Sequence, residues 1–327
     1  MNKKLGSALL VLAMAGSVLA GCGQQPAQSQ QGGQSGNQPA QTEAPKTDAP
    51  KLSGSIKIDG SSTVFPISEA VAEEFQKAQP DVQVTVGQSG TGGGFKKFVV
   101  GEIDISDASR PIKDKEKEDA AKNKIDFVEL PVAYDGISIV VNKENAFVDK
   151  LTVDELKKIW EPESKVKTWK DVRADWPAEE IKLYGPGTDS GTFEYFTEAV
   201  VGKAKASRSD YTASEDDNVL VQGIAGDKNA LGYFGFSYFE ENQDKLKLIP
   251  VEADGKAVSP STETIKDGSY KPLSRPLFIY VSKASLQKPE VKEFVKFYIE
   301  QAPELVKSVF YVPLTDDKYK EALAQIQ

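Results

Sequence analysis

Three short stretches of the chain combine the residue types that hold small anions. The first, DGSSTVFPISEA at residues 59–70, places Ser61, Ser62 and Thr63 ahead of a helix that Pro66 opens. The second, GQSGTGGGF at residues 87–95, has five glycines in nine residues and offers Ser89 and Thr91. The third, YGPGTDSGTFEYF at residues 184–196, supplies Thr188, Asp189, Ser190, Gly191 and Thr192. Each reads as a strand end, a hydroxyl-rich loop and a helix start. A helix N-terminus carries unpaired N–H groups and a partial positive charge. Glycine lets the backbone approach an anion closely, and hydroxyls add short donors. Taken singly, such serines and threonines are ordinary N-caps. Three loops of one design in one chain point instead to convergence on one ligand. None is a Walker loop, because no Gly-Lys-Ser/Thr follows the glycines. None is a dinucleotide fingerprint, because GTGGGF lacks the acidic residue about 20 positions on.

A fourth stretch, ISDASRPI at residues 105–112, holds Asp107, Ser109 and Arg110. Arg110 is the only arginine before residue 173 in a chain rich in lysine, and its planar fork suits an oxyanion. Asp107, Asp135 and Asp189 lie in or beside these loops. A carboxylate next to an anion makes sense where the anion carries a proton it can donate. Hydrogen phosphate has such a proton; sulfate at neutral pH does not.

The elements that must position these loops alternate. SIKID, DVQVTVGQ and IDISDAS read as strands, and PISEAVAEEFQKAQP, GGFKKFVVGE and KDKEKEDAAKNK as helices. DFVELPVAYDGISIVVN reads as strand material with a turn near Asp135–Gly136. TVDELKKIW opens on a capping box, Thr152 with Glu155. Strands IKLYG, ALGYFGF, LKLIPV and PLFIYVSK follow, with helices over SGTFEYFTEAVV and DDNVLVQGIAG. Two helices, PEVKEFVKFYIEQ and APELVKSV, close the chain. The pattern is α/β throughout.

Composition narrows the function. The chain has 327 residues, so two domains are expected, and a net charge of −9 argues against nucleic acid as partner. It has no histidine, which removes the commonest general base and zinc ligand; no cofactor or metal is expected. Residues 1–21 read as a signal peptide, with basic MNKK, an apolar stretch and then LAGC. Cys22 is the sole cysteine, and LAGC resembles the bacterial lipobox, which implies lipidation at Cys22. Residues 22–52, rich in Gln, Pro, Gly and Ser, read as a disordered tether.

In this order, DGSSTVFPI, GQSGTGGGF, DISDASRPI, PVAYDGISIVVN, GPGTDSGTFEYF and NALGYFGFSYF resemble the phosphate-binding protein of the bacterial high-affinity phosphate ABC transporter. The likeness spans roughly residues 54–325. It implies a type II periplasmic-binding-protein fold, two α/β lobes joined by a two-crossover hinge with the ligand cleft between them. Residues 53–136 plus 275–327 would form one lobe and 137–274 the other. By the same resemblance, Ser62, Thr63, Thr91 and nearby Ser89 would hold phosphate from one lobe, and Ser190, Gly191 and Thr192 from the other. Two positions depart from the enterobacterial pattern: Pro186 stands where that form has an arginine, and Ser109 where it has an aspartate. Arg110 is therefore expected to supply the guanidinium, and Asp107, Asp135 or Asp189 the proton acceptor. The resemblance further implies a monomeric lipoprotein on the extracytoplasmic face of a Gram-positive membrane, delivering phosphate to a membrane permease. The alternatives are a binding protein for sulfate, molybdate or tungstate, or a secreted phosphatase using Ser62 or Ser190.

Overall fold

A computed structural model describes residues 51–188 and 190–326. Cys22, the tether before residue 51 and Asp189 lie outside the described residues. The first part of the chain alternates β1 (Gly54–Gly60), α1 (Phe65–Ala78), β2 (Val82–Gly87), α2 (Thr91–Phe98), β3 (Ile105–Ala108) and α3 (Asp114–Lys122). A 16-residue strand, β4 (Phe127–Asn142), follows. Next come β5 (Leu151–Thr152), α4 (Val153–Trp160), α5 (Trp169–Val172), β6 (Lys182–Pro186) and α6 (Gly191–Phe196). A π-helical turn at Thr197–Val201 leads to β7 (Thr212–Ser214), α7 (Asp217–Gly226), β8 (Ala230–Gly235) and α8 (Phe236–Glu241). The remainder is β9 (Leu246–Leu248), β10 (Val251–Ala253), β11 (Lys256–Val258), α9 (Thr262–Lys266) and β12 (Ser274–Ser282). It ends with α10 (Pro289–Ser308), β13 (Val312–Pro313) and α11 (Asp316–Ala324).

One sheet runs in the order β2-β1-β3-β12-β4-β8-β6-β7, with β13 and β9 also paired to β4. β4 is the member common to its two halves. Residues Phe127–Gly136 pair antiparallel with β12, and Ile137–Asn142 with β8 and β9. The turn expected at Asp135–Gly136 is absent: the strand runs straight through. Gly136 is needed for a different reason. A Cβ there would lie 2.4 Å from the Ile265 side chain, which packs over this point of the strand.

The first half of the sheet is covered on both faces, as residue alternation dictates. Along β12, Leu277, Ile279 and Val281 face the main core beneath α1 and α10. Phe278 and Tyr280 face a smaller core with Phe95 and Phe98 of α2. α1 docks on α10 through Phe75, edge-on to Phe294 at 5.2 Å. In the second half, Tyr233 of β8 stacks on Phe196 at 3.8 Å and meets Trp160 edge-on at 4.9 Å. α10 continues through Pro303, where two helices were expected. Interior proline costs a helix roughly 3 kcal/mol, but an unbroken buried face of Val295, Tyr298, Ile299, Ala302 and Val306 holds this one together. Among the described residues no helix is long and apolar enough to cross a membrane.

Candidate functional site

The loops singled out by sequence follow the carboxyl ends of parallel strands. β1 runs parallel to β2 and β3, and β6 parallel to β7 and β8. In open α/β sheets ligands bind beyond such ends. Gly60 makes the first turn possible. Its φ is +149°, and a Cβ would strike the Asp107 carbonyl at 2.1 Å. Gly90 caps α2 at φ +78°, and Gly94 lets that helix lie against Gly60, where a Cβ would be 2.6 Å from the Gly60 Cα.

Two adjoining cavities open here. A cavity of about 290 Å³ is lined by the hydroxyl residues Ser61, Ser62, Thr63, Ser89, Thr91 and Ser109, by Arg110, Lys113 and Arg275, and by Glu194 and Glu198. A second, of about 420 Å³, takes Ser190, Gly191, Thr192, Ser62 and Asp135 together with Glu215, Asp217, Tyr238 and Phe310. Ser62 belongs to both. The first and third loops touch between the cavities. A Cβ on Gly191 would fall 2.7 Å from the Thr63 Cα and amide nitrogen and 2.6 Å from its hydroxyl. Only glycine permits that approach.

Each hydroxyl has a defined neighbour. Thr63 Oγ1 accepts from Arg275 Nη2 at 3.0 Å. Thr91 Oγ1 accepts from the Ser109 amide at 3.1 Å and lies 3.1 Å from the Ser109 hydroxyl. Ser89 donates both its amide and its hydroxyl to Asp59, at 2.9 and 2.7 Å. Burial pushes the Asp59 carboxyl up, but Lys97 and Ser89 outweigh it and hold the pKa below the usual value. Ser190 is the N-cap of α6 and accepts from the Thr192 and Phe193 amides. That bonding leaves its own proton available to a ligand. Ser62 donates to Glu194 at 3.5 Å.

The charged residues fall differently from expectation. Arg110 lines the smaller cavity, but its fork is closed on Glu116 at 2.9 and 2.7 Å, over the Phe95 ring. Arg275 lines the same cavity. It stands at the start of β12, opposite Asp135 of β4. Its side chain is 14% exposed, its Nε and Nη2 lie 3.4 Å from Asp135 Oδ2, and its Cζ lies 3.5 Å over the Tyr195 ring. Tyr195 in turn donates to the Pro272 carbonyl at 2.6 Å. Burial raises the Asp135 pKa, with the Arg275 charge pulling against it. Asp107 lines neither cavity. Its carboxyl is fully buried under α1, where Ser68 donates to Oδ1 at 3.0 Å and Oδ2 has no partner. Burial lifts its pKa to about 8. Among the described residues no cluster of metal-ligating side chains occurs.

A family model described as a PBP superfamily domain matches residues 33–302. The chain belongs to the PBP superfamily. Within it, Protein SphX of Synechococcus elongatus is 53% identical over 270 residues, covering 82% of this chain and 80% of that one. Phosphate-binding protein PstS of Staphylococcus haemolyticus is 43% identical over 280 residues, covering 84% and 86%. The crystal structure of a possible phosphate binding protein from Planctomyces limnophilus superposes with a TM-score of 0.80 at 52% identity, covering 84% of this chain and 99% of that one. A putative phosphate ABC transporter substrate-binding protein with bound phosphate, from Clostridium perfringens, gives 0.56 at 29%, covering 80% and 100%. The α/β architecture is thus that of a type II periplasmic binding protein.

Arg275 is a cavity-lining residue of this PBP-superfamily chain that sequence reasoning did not single out. PLFIYVSK reads as an ordinary strand, with Arg275 just ahead of it. The signal present was a second arginine at the mouth of a strand, but its partners Asp135 and Thr63 lie 140 and 212 residues away.

Proposed function

We propose that this chain is the inorganic phosphate-binding component of a phosphate ABC transporter, capturing phosphate between two lobes and presenting it to a membrane permease. The observation that carries this reading is the smaller cavity. Six hydroxyl residues line it, with a guanidinium 3.0 Å from Thr63 at the point where two loops touch. A doubly charged anion sheds its hydration only where many donors replace water. The hydroxyls, the amides at the start of α2 and the Arg275 fork are such donors. The bound phosphate in the Clostridium relative and the names of the Staphylococcus and Planctomyces relatives support the same assignment.

In this reading residues 53–136 plus 275–327 form one lobe and 137–274 the other. β4 and the segment entering β12 are the two crossovers. The ligand-contacting set is Ser62, Thr63, Thr91, Ser109, Ser190, Gly191 and Thr192, with Arg275 in the role first expected of Arg110. Asp135 is the proton acceptor, since it lies at the cleft and a carboxylate of raised basicity accepts a hydrogen bond strongly. Asp107 is too deep for that part. The protein binds without turnover, since the chain offers neither histidine nor a free thiol beyond Cys22 as a partner for Ser62 or Ser190. It works as a monomer outside the cytoplasm, anchored through lipidated Cys22.

Isothermal titration of the purified protein with phosphate, arsenate and sulfate tests this. Phosphate gives saturable binding that equimolar sulfate does not compete away; sulfate binding with no phosphate heat overturns the assignment.

A further inference from the structure

α10 ends in a Schellman motif with an unusual occupant. The Phe310 amide donates to the Lys307 carbonyl at 3.0 Å and the Tyr311 amide to the Val306 carbonyl at 3.0 Å. This is the paired bonding that closes a helix through a left-handed residue, where glycine is the usual choice because a Cβ is strained there. Here the residue is phenylalanine, at φ +64°. Among the described residues, the other non-glycines at positive φ are Lys124, Lys205 and Asp254. Local backbone chemistry therefore does not explain Phe310, and the contacts of its ring are where a compensating gain is to be sought.

The ring supplies the explanation. Phe310 stacks on Tyr238 of α8, centroids 4.2 Å apart and planes 23° from parallel. The two rings come from opposite halves of the sheet. Tyr238 follows β8, which pairs with Ile137–Val141 of β4. Phe310 precedes β13, which pairs with Ala133–Tyr134. Both rings, and Tyr311, line the larger cavity with Ser62, Ser190, Gly191 and Thr192. The pair lies where the two halves adjoin along β4, between the segments anchored at Tyr134 and Ile137.

We propose that Phe310 and Tyr238 form an aromatic latch that holds the two lobes closed and sets how fast the captured anion leaves. This rests on the phosphate-binding reading above. As a contact between the two halves, the latch would act on release more than on encounter.

The test is stopped-flow release of inorganic phosphate, with thermal unfolding of the ligand-free protein, for wild type, Phe310→Gly, Phe310→Tyr and Tyr238→Leu. An aromatic pair of this geometry predicts release about two- to tenfold faster in Phe310→Gly and Tyr238→Leu, with association little changed. Phe310→Tyr keeps the wild-type rate. Phe310→Gly unfolds, without ligand, no lower than wild type because glycine suits the left-handed position. A lowered melting temperature with unchanged release would make Phe310 a packing residue and overturn the latch alone. A wild-type protein that binds no phosphate overturns the functional reading and the latch with it.

Discussion

Replacing Arg275 by lysine separates the two arginines that sequence and structure nominate for the anion. Lysine keeps the charge and loses the planar fork. Arg275 contacts Thr63 at 3.0 Å and Asp135 at 3.4 Å, with a side chain only 14% exposed. A charge-assisted hydrogen bond in such a place contributes about 1.5–3 kcal/mol. At about 1.4 kcal/mol per tenfold, Arg275→Lys should therefore weaken phosphate binding by about 10- to 150-fold. Arg110→Lys should bind within about threefold of wild type, because Glu116 already holds that fork (an effect below about 0.7 kcal/mol). Titration calorimetry on both variants reads the contrast directly. Stability needs a second comparison. Arg275→Met strands the Asp135 carboxylate, 2% exposed, and should cost about 3–5 kcal/mol in denaturant unfolding. Adding Asp135→Asn should return most of that stability but not the binding. If the double variant regains phosphate affinity, Arg275 serves only as counter-ion to Asp135. If Arg110→Lys loses more affinity than Arg275→Lys, the assignment made from the geometry is wrong.

Gly191→Ala places a Cβ against the Thr63 backbone and should lower the stability of this arrangement by about 1–3 kcal/mol in denaturant unfolding. It should weaken phosphate binding at least about tenfold, because closing a 2.7 Å gap against the Thr63 backbone costs more than about 1.4 kcal/mol; unaltered affinity would show that the two loops need not touch. Asp107 gives a pH signature. Its carboxyl is held neutral by burial, so the folded state binds a proton that the unfolded chain releases near pH 4, and stability falls as pH rises from about 4 towards 8. Asp107→Asn mimics the neutral form, so its unfolding free energy should match wild type near pH 4, exceed it at pH 8 and show a flatter slope between. An unchanged slope refutes the neutral assignment.

Much of the fold was legible because its signals are local. The first six elements, from SIKID to KDKEKEDAAKNK, each carry their period within a few residues, and the Thr152–Glu155 box forms as read, the Glu155 amide donating to Thr152 Oγ1 at 3.1 Å. The misreadings come from residues whose meaning is long-range. Asp135–Gly136 has turn chemistry, but its aspartate faces Arg275 and its glycine makes room for Ile265. Pro303 looks like a helix stop until the buried face running past it is seen. α11 was not anticipated at all, since DDKYKEALA buries little beyond Tyr319 and Ala322. In the site, the hydroxyl loops announce themselves by composition, and two of them do touch. Arg110 stood out by scarcity, yet Glu116 six residues on claims it. The arginine that faces Thr63 has partners too distant in sequence for any spacing rule to find.

The place of β12 in the sheet sets an order of assembly. It is inserted between β3 and β4, strands made long before it. Residues 51–273 can form hairpins, helices and much of the second half, but the first half stays split until residues 274–282 arrive to bridge it. Contacts that far apart in sequence form late and slowly. A chain emerging from its N-terminus therefore remains pliable almost to its end, with β3 and the first part of β4 presenting open edges meanwhile. Until β12 arrives, those unfinished edges are the surface a chaperone would have to cover.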